Sequence, residues 1–256
     1  MSRLIKFFYA SVVYAFLYLP LAIMAVYSFN ASKFSLSWKG FTLDWYLRLW
    51  DNVSLMEAAL RSLSVAAMSA TIASVVGTLA AFILYQYVFP GRKVMFATLF
   101  VMMMSPDIVI GISLLLLFLA VQLPLGFWTL LMAHVTLSVP FVATTVYSRF
   151  KNFEGDVIEA ARDLGAGDYQ VFRHIVLPLI TPAVIAGWLL SFTLSLDDVM
   201  ISFFTTGPTY EVLPLRIYSM VRLGIKPDVN ALCVVMMAIT VAAVIVSRQL
   251  LKEKNQ

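Results

Sequence analysis

Glu159-Ala160-Ala161-Arg162-Asp163-Leu164-Gly165, then nine residues, then Ile175-Val176-Leu177-Pro178, is the centre of a hydrophilic island, Glu154 to Pro182, between two apolar runs that are each long enough to cross a bilayer. Asp156 is placed to cap a helix whose third residue, Glu159, reaches back to the cap, and Val157, Ile158, Ala161 and Leu164 then form one apolar stripe. Gly165 ends that helix, because a residue without Cβ takes the left-handed conformation that closes a helix end. Gly167 and Asp168 are expected to restart the chain as turn and new N-cap, leading to a second short helix with Val171, Phe172 and Ile175 on one face. Pro178 is expected to stop it. The reading is a helix, a glycine elbow and a helix standing outside the membrane.

The runs on either side set the class. Hydrophobic residues make up 61% of the 256-residue chain, and the mean hydropathy is +0.90. A globular chain averages about 45–50% apolar residues. Spans are expected at about 7–29, 59–85, 94–122, 127–148, 183–206 and 229–251. The fold class is therefore all-α: a polytopic membrane protein with six transmembrane helices, a single domain over 1–256 whose cytoplasmic loop is 149–182. Residues 7–27 continue for a full span with no small-residue cleavage site after a short core, so no cleavable signal is expected. Cys233 has no partner for a disulfide.

Charge gives the orientation. If residues 1–6, 86–94, 149–182 and 248–256 share one side, eleven of the eighteen Lys and Arg lie there, and the other seven lie mostly in long loops, where they count for little. Both termini and the island are thus expected on the cytoplasmic side.

Local signals refine the spans. Ala73, Gly77 and Ala81 step by four and should let another helix approach closely. Ser105-Pro106-Asp107, with serine as cap, proline at the first helical position and an acid in the first turn, should break the third span near mid-membrane. Thr42 is placed to cap a short interfacial helix containing Trp45 and Trp50. Those rings either anchor at the headgroup level or flank the outer mouth and meet a cationic substrate through a ring face. Residues 213–223 should form an external amphipathic helix that ends at Gly224.

An acid inside a span costs about 2.5–3.5 kcal/mol, so each one is a functional candidate. There are three: Asp107, Asp197 and Asp198. Ser191, Ser195, Asp198, Ser202 and Thr205 recur at helical spacing and make one polar stripe that should line a wet path. Asp197 points about 100° away from it on an ideal helix. Asp107 is alternatively a helix-start acid serving its own backbone, and Asp198 a polar bond between helices. His134 should bond to a backbone carbonyl, and no second ligand lies at metal spacing. Met102-Met103-Met104 fans out around its helix and does not converge on a metal. No Arg or Lys lies deep in a span, so the path offers negative charge alone, which suits a cation and argues against an anion. The chain has no G-x-x-x-x-G-K-[ST] and is not itself an ATPase.

The island's pattern of Glu159, Ala160, Ala161, Gly165, Ile175, Leu177 and Pro178 resembles the cytoplasmic loop signature of the membrane subunits of bacterial ATP-binding-cassette importers, with no departure in spacing. Leu194 to Val199, Gly207-Pro208, Leu213 to Lys226 and Phe41 to Tyr46 also look like the spermidine/putrescine importer permeases over nearly the full length. The resemblance implies a type I permease fold that translocates polyamines from periplasm to cytoplasm. Permeases for other small cations and ferric iron share much of the substrate-related part. The candidate pathway residues remain the acids, stripe and ring read above, Asp107, Ser195, Asp197, Asp198 and Trp45, and the ATPase-coupling residues that the resemblance implies are Glu159, Ala160, Ala161, Asp163 and Gly165. Implied partners are a second permease chain, an ABC ATPase dimer that binds ATP and Mg, a periplasmic polyamine-binding protein and the lipid bilayer of the inner membrane, with no nucleic acid and no cofactor in this chain. The rival from another class is an ion-coupled secondary transporter using Asp107 and Asp198, which leaves the island unexplained.

Overall fold

Proline, glycine and serine mark several of the breaks between helices of the computed structural model, at residues 89–91, 105–106 and 124–126, while Pro20, Pro140 and Pro182 lie inside helices. The structure describes residues 3–32, 37–151, 156–222 and 227–253. The helices are α1 (Arg3–Tyr27), α2 (Asp44–Asp51), α3 (Val53–Gln86), α4 (Arg92–Met104), α5 (Asp107–Ala120), α6 (Phe127–Phe150), α7 (Asp156–Asp163), α8 (Asp168–Val171), α9 (Leu177–Asp197), α10 (Met200–Thr205), α11 (Leu213–Arg222) and α12 (Pro227–Glu253). A π-helical turn, Phe172–Val176, joins α8 to α9. Apart from one isolated bridge between Asn30 and Phe41, the described residues form no β-structure.

Six spans are expected. Four helices are long and apolar enough to cross a membrane, Phe7–Tyr27, Val53–Gln86, Phe127–Phe150 and Asp168–Asp197, and α4 with α5 makes a fifth span if that bent pair counts as one. Val229–Ala242 is a shorter apolar stretch. Gly224, the expected end of α11, lies outside the described residues, as do Glu154 and the side chains of Asp156, Val157 and Ile158.

Two compact units divide the chain: Met1–Ala58 with Arg216–Ala242, and Ala59–Leu215 with Ala243–Gln256. In the first, Asn30 is fully buried and organises the segment after α1. Its Nδ2 donates to the Ser37 carbonyl at 2.7 Å, and its Oδ1 accepts from the Lys39 N–H at 2.9 Å. Phe29 stacks on Phe41 and on Tyr46, each at 5.2 Å between centroids. Thr42 Oγ1 accepts from the Asp44 N–H at 3.1 Å at the start of α2.

In the second unit, α6 packs against α9 and α3 through small residues. A Cβ added at Gly77 would stand 2.8 Å from Val142 Cβ, and one at Gly187 would stand 3.2 Å from Val142 Cγ1. Ala73 and Ala81 are fully buried, so the small-residue row of α3 does seat another helix. At the end of this packing Tyr85 stacks on Phe150 and Phe82 meets Phe172 edge-on, each at 5.0 Å.

The third span breaks where expected, but differently in detail. The axis turns by 112° between α4 and α5. Ser105 does not cap α5; its hydroxyl donates back to the Val101 carbonyl at 2.7 Å, and Pro106 itself takes the cap position. Pro178 does not stop the elbow's second helix either, since the π turn carries α8 directly into α9. A wider turn relieves the clash of a proline ring with the preceding carbonyls and absorbs its missing N–H. The fifth span is correspondingly displaced: it begins within the elbow and is interrupted at Asp198-Val199 before α10.

Candidate functional site

Two interruptions in apolar helices come together in the second unit. At Ser105-Pro106 the backbone is extended, and Asp107 opens α5. At Asp198 it is extended again, φ −67° and ψ 123°, before α10. Gly111, one turn into α5, joins the two: a Cβ there would stand 2.8 Å from Phe204 Cδ2 and 3.4 Å from the Met200 carbonyl oxygen. Asp107 opens α5 and Asp197 closes α9 at these two breaks, and both are exposed. The helix breaks therefore present a pair of acids at the surface of an otherwise apolar body.

Asp198 turns the opposite way. It is 8% exposed, and its carboxylate accepts from the Ile201 N–H at 3.2 Å and the Ser202 N–H at 2.7 Å, capping α10. His134, on α6 and 2% exposed, bonds to side chains instead of the expected backbone carbonyl. Its Nδ1 lies 2.5 Å from Ser195 Oγ, and its Nε2 lies 3.0 Å from Ser202 Oγ and 3.5 Å from Asp198 Oδ2. Ser69 of α3 donates to Ser195 Oγ at 3.3 Å. One tautomer satisfies the whole chain: Ser195 donates to Nδ1, and Nε2–H points to Asp198 and Ser202. Ser191, Ser195, Ser202 and Thr205 are buried with Asp198, so the polar stripe faces the interior of this unit. The projection that put Asp197 off the path assumed one continuous helix, and the break at Asp198 removes that assumption.

The elbow has the expected hinge. Gly165 sits at φ +84°, with its N–H on the Arg162 carbonyl at 2.8 Å and the Ala166 N–H on the Ala161 carbonyl at 3.1 Å. These bonds satisfy the last carbonyls of α7. Gly167, not Asp168, caps α8; its N–H is bonded by Gln170 Oε1 at 3.1 Å, while the Asp168 carboxylate pairs with Arg162 at 3.0 Å. Ala161 is buried against the α3–α6 core with Val171, Val176 and Ile180. Glu159, Ala160 and Asp163 are exposed, and Leu164 is 89% exposed, so the expected stripe divides into one inward and one outward residue. With its oxygen turned toward α7, the Gln86 amide accepts from Arg162 at 3.1 Å, which ties the elbow to the end of α3.

In the first unit, Trp45 Nε1 donates to the Asn30 carbonyl at 2.7 Å, and Arg48 lies over the Trp45 ring at 5.2 Å. Trp50 is 75% exposed. Sequence reasoning missed the His134 cluster, whose members come from four separate segments. The local signal was Asp198 three residues before Ile201, a spacing at which a carboxylate can accept from a first-turn backbone N–H. Among the described residues no group of three or more His, Cys, Asp or Glu is arranged to hold a metal.

Residues 73–253 match the model of the family described as binding-protein-dependent transport system inner membrane component. The chain is 50% identical over 255 residues, spanning 100% of its length and 97% of the relative's, to the spermidine/putrescine transport system permease protein PotC of Escherichia coli (strain K12). It is 41% identical over 227 residues, 86% of this chain and 80% of the relative, to the putrescine transport system permease protein PotI of the same strain. In fold it is similar to a chain of a bacterial ABC transporter involved in the import of the acidic polysaccharide alginate, with a TM-score of 0.73 at 15% identity, over 96% of this chain and 95% of that one.

Proposed function

Since the chain belongs to the family of binding-protein-dependent transport system inner membrane components, we propose that it is the permease subunit through which an ATP-driven importer passes spermidine or putrescine into the cytoplasm. It is a multi-pass inner-membrane protein and a non-catalytic subunit. Its partners in this reading are a second, different permease chain, a pair of ABC ATPase subunits that bind ATP and Mg, and a periplasmic polyamine-binding protein. The 256 residues act as one permease domain of six spans with both termini in the cytoplasm, in keeping with the bias of Lys and Arg.

One observation carries the substrate reading: Asp107 and Asp197 stand exposed at paired helix breaks, and no Arg or Lys accompanies them deep in the spans. Two carboxylates attract a ligand with spaced ammonium groups and repel an anion. Asp198 and Ser195 hold the break in shape from behind, so that Asp197 is presented. Trp45 is the candidate for a first contact outside the membrane; an incoming ammonium would have to replace Arg48 on its ring. Closure of the ATPase pair on ATP carries the elbow with it, Glu159, Ala160, Ala161, Asp163 and Gly165 transmit the movement, and the path changes the side to which it opens.

The test is ATP hydrolysis by the reconstituted complex, with binding protein loaded in turn with spermidine, putrescine or ferric ion. Stimulation by the polyamines and loss of uptake in Asp197→Asn at normal assembly are expected. Stimulation by ferric ion alone would sink the substrate assignment.

A further inference from the structure

We propose that a diacyl phospholipid with an anionic headgroup binds this subunit at the α3–α4 turn, in a cavity separate from the paired acids and the elbow hinge. The cavity is an open hollow of about 640 Å³ whose lining includes Arg92, Lys93 and Lys151 together with Val94, Ala97 and Tyr147. No acid lines it, and among the described residues none of its three cations has a carboxylate within ion-pair distance. Lys151 instead lies over the Tyr147 ring at 5.4 Å. Gly91 caps α4 without a side chain, so the first-turn amides of Lys93 and Val94 have no side-chain acceptor. Three cations and an uncapped helix start in one hollow ask for an anion of more than one oxygen.

The apolar surroundings decide which anion. Val94, Ala97, Val101 and Met104 follow one another at helical spacing from the cavity along α4, and Val94, Val101 and Met104 are 68%, 63% and 82% exposed. Ten residues of helix rise about 15 Å, and one leaflet is half of a hydrocarbon core about 30 Å thick. A headgroup in the cavity thus places its acyl chains along an apolar track one leaflet long, which neither a free phosphate nor an acidic peptide would use. Basic hollows at the cytoplasmic ends of membrane helices are suited to such lipids.

The test uses the whole complex, purified in mild detergent and returned to defined mixtures of phosphatidylglycerol and phosphatidylcholine, with retained lipid counted by mass spectrometry and melting followed by tryptophan fluorescence. The wild type should retain phosphatidylglycerol selectively and melt higher with it. Arg92→Gln/Lys93→Gln/Lys151→Gln should lose that selectivity by on the order of a hundredfold, at about 1 kcal/mol per neutralised charge. Arg92→Lys/Lys93→Arg/Lys151→Arg should retain it, which controls for misfolding. The proposal is overturned by equal retention in the Gln variant. It also falls if neutralising Arg3, Lys6 and Lys252 has the same effect, or if inorganic phosphate raises the melting point as phosphatidylglycerol does. A Gln variant that keeps its lipid but sheds the ATPase would reassign the cavity to a protein contact and equally overturn it.

Discussion

Asp197 and Asp198 are neighbours in sequence with opposite duties, and the difference lies in what each touches. Asp198 has two backbone N–H donors and His134 at its oxygens, all inside the protein. Asp197 is exposed at the end of α9. Asp197→Asn should therefore leave assembly within about 0.5 kcal/mol of wild type, as for most surface changes. Uptake should fall by on the order of tenfold to a hundredfold, the worth of about 1.5–3 kcal/mol for a hydrogen bond to a charged group. Labelled spermidine uptake per assembled complex measures this, and normal uptake would remove Asp197 from the path. Asp198→Ala removes a cap worth about 0.5–2 kcal/mol and leaves His134 facing a void, so the complex itself should melt earlier; Asp198→Asn keeps one cap acceptor and should recover part of the loss. A fluorescence melt separates the two. Both acids were legible as candidates, because any carboxylate in an apolar run announces itself. Their division of labour was not, because it depends on a helix break that periodicity cannot register and on a histidine 64 positions earlier.

Among the elements, glycines govern how closely backbones meet and where they turn. At Gly165 nothing lies within 4 Å of an added Cβ, so space is free and only the backbone angle of +84° constrains the residue. Gly165→Ala should cost about 1 kcal/mol through the left-handed conformation alone. Gly165→Pro is incompatible with that angle, since proline is fixed near −65°. The proline variant should insert and assemble but hydrolyse ATP without importing substrate; the ratio of uptake to hydrolysis is the measurement, and a wild-type ratio would refute the hinge. Gly77 is limited by space instead, with Val142 Cβ 2.8 Å from an added Cβ against a nearest contact of 3.2 Å at Gly187. Overpacking costs about 1–3 kcal/mol, so Gly77→Ala should lower the melting temperature more than Gly187→Ala does. The reverse order would mean that α3 yields more readily than α9. The small-residue row and the glycine elbow were plain in the sequence because each is a local pattern. The run of α8 through a π turn into α9 was not, since Pro178 reads as a stop until a wider turn is allowed.

For the whole molecule the deciding quantity is where the free energy for uptake comes from. This chain has no phosphate-binding loop to harvest ATP, and its exposed acids are also what an ion-coupled carrier would use. The two readings part on the elbow. A carrier driven by an ion gradient has no need of an elbow that offers Glu159, Ala160, Asp163 and a bare Leu164 to solvent, whereas a subunit moved by a separate motor needs such a contact. A bare leucine at the tip of an elbow is apolar surface that a docking partner can remove from water, which would add to the strength of that contact. Complexes in vesicles with ATP held constant inside and loaded binding protein outside should accumulate polyamine at an unchanged rate when a protonophore collapses the proton gradient. They should stop when ATP is replaced by a non-hydrolysable analogue. Leu164→Asp should produce the second outcome without the analogue, by releasing the motor from a permease that still assembles with its partner chain. Uptake that dies with the protonophore while ATP persists would transfer the driving force to Asp107 and its neighbours and leave the elbow without a function.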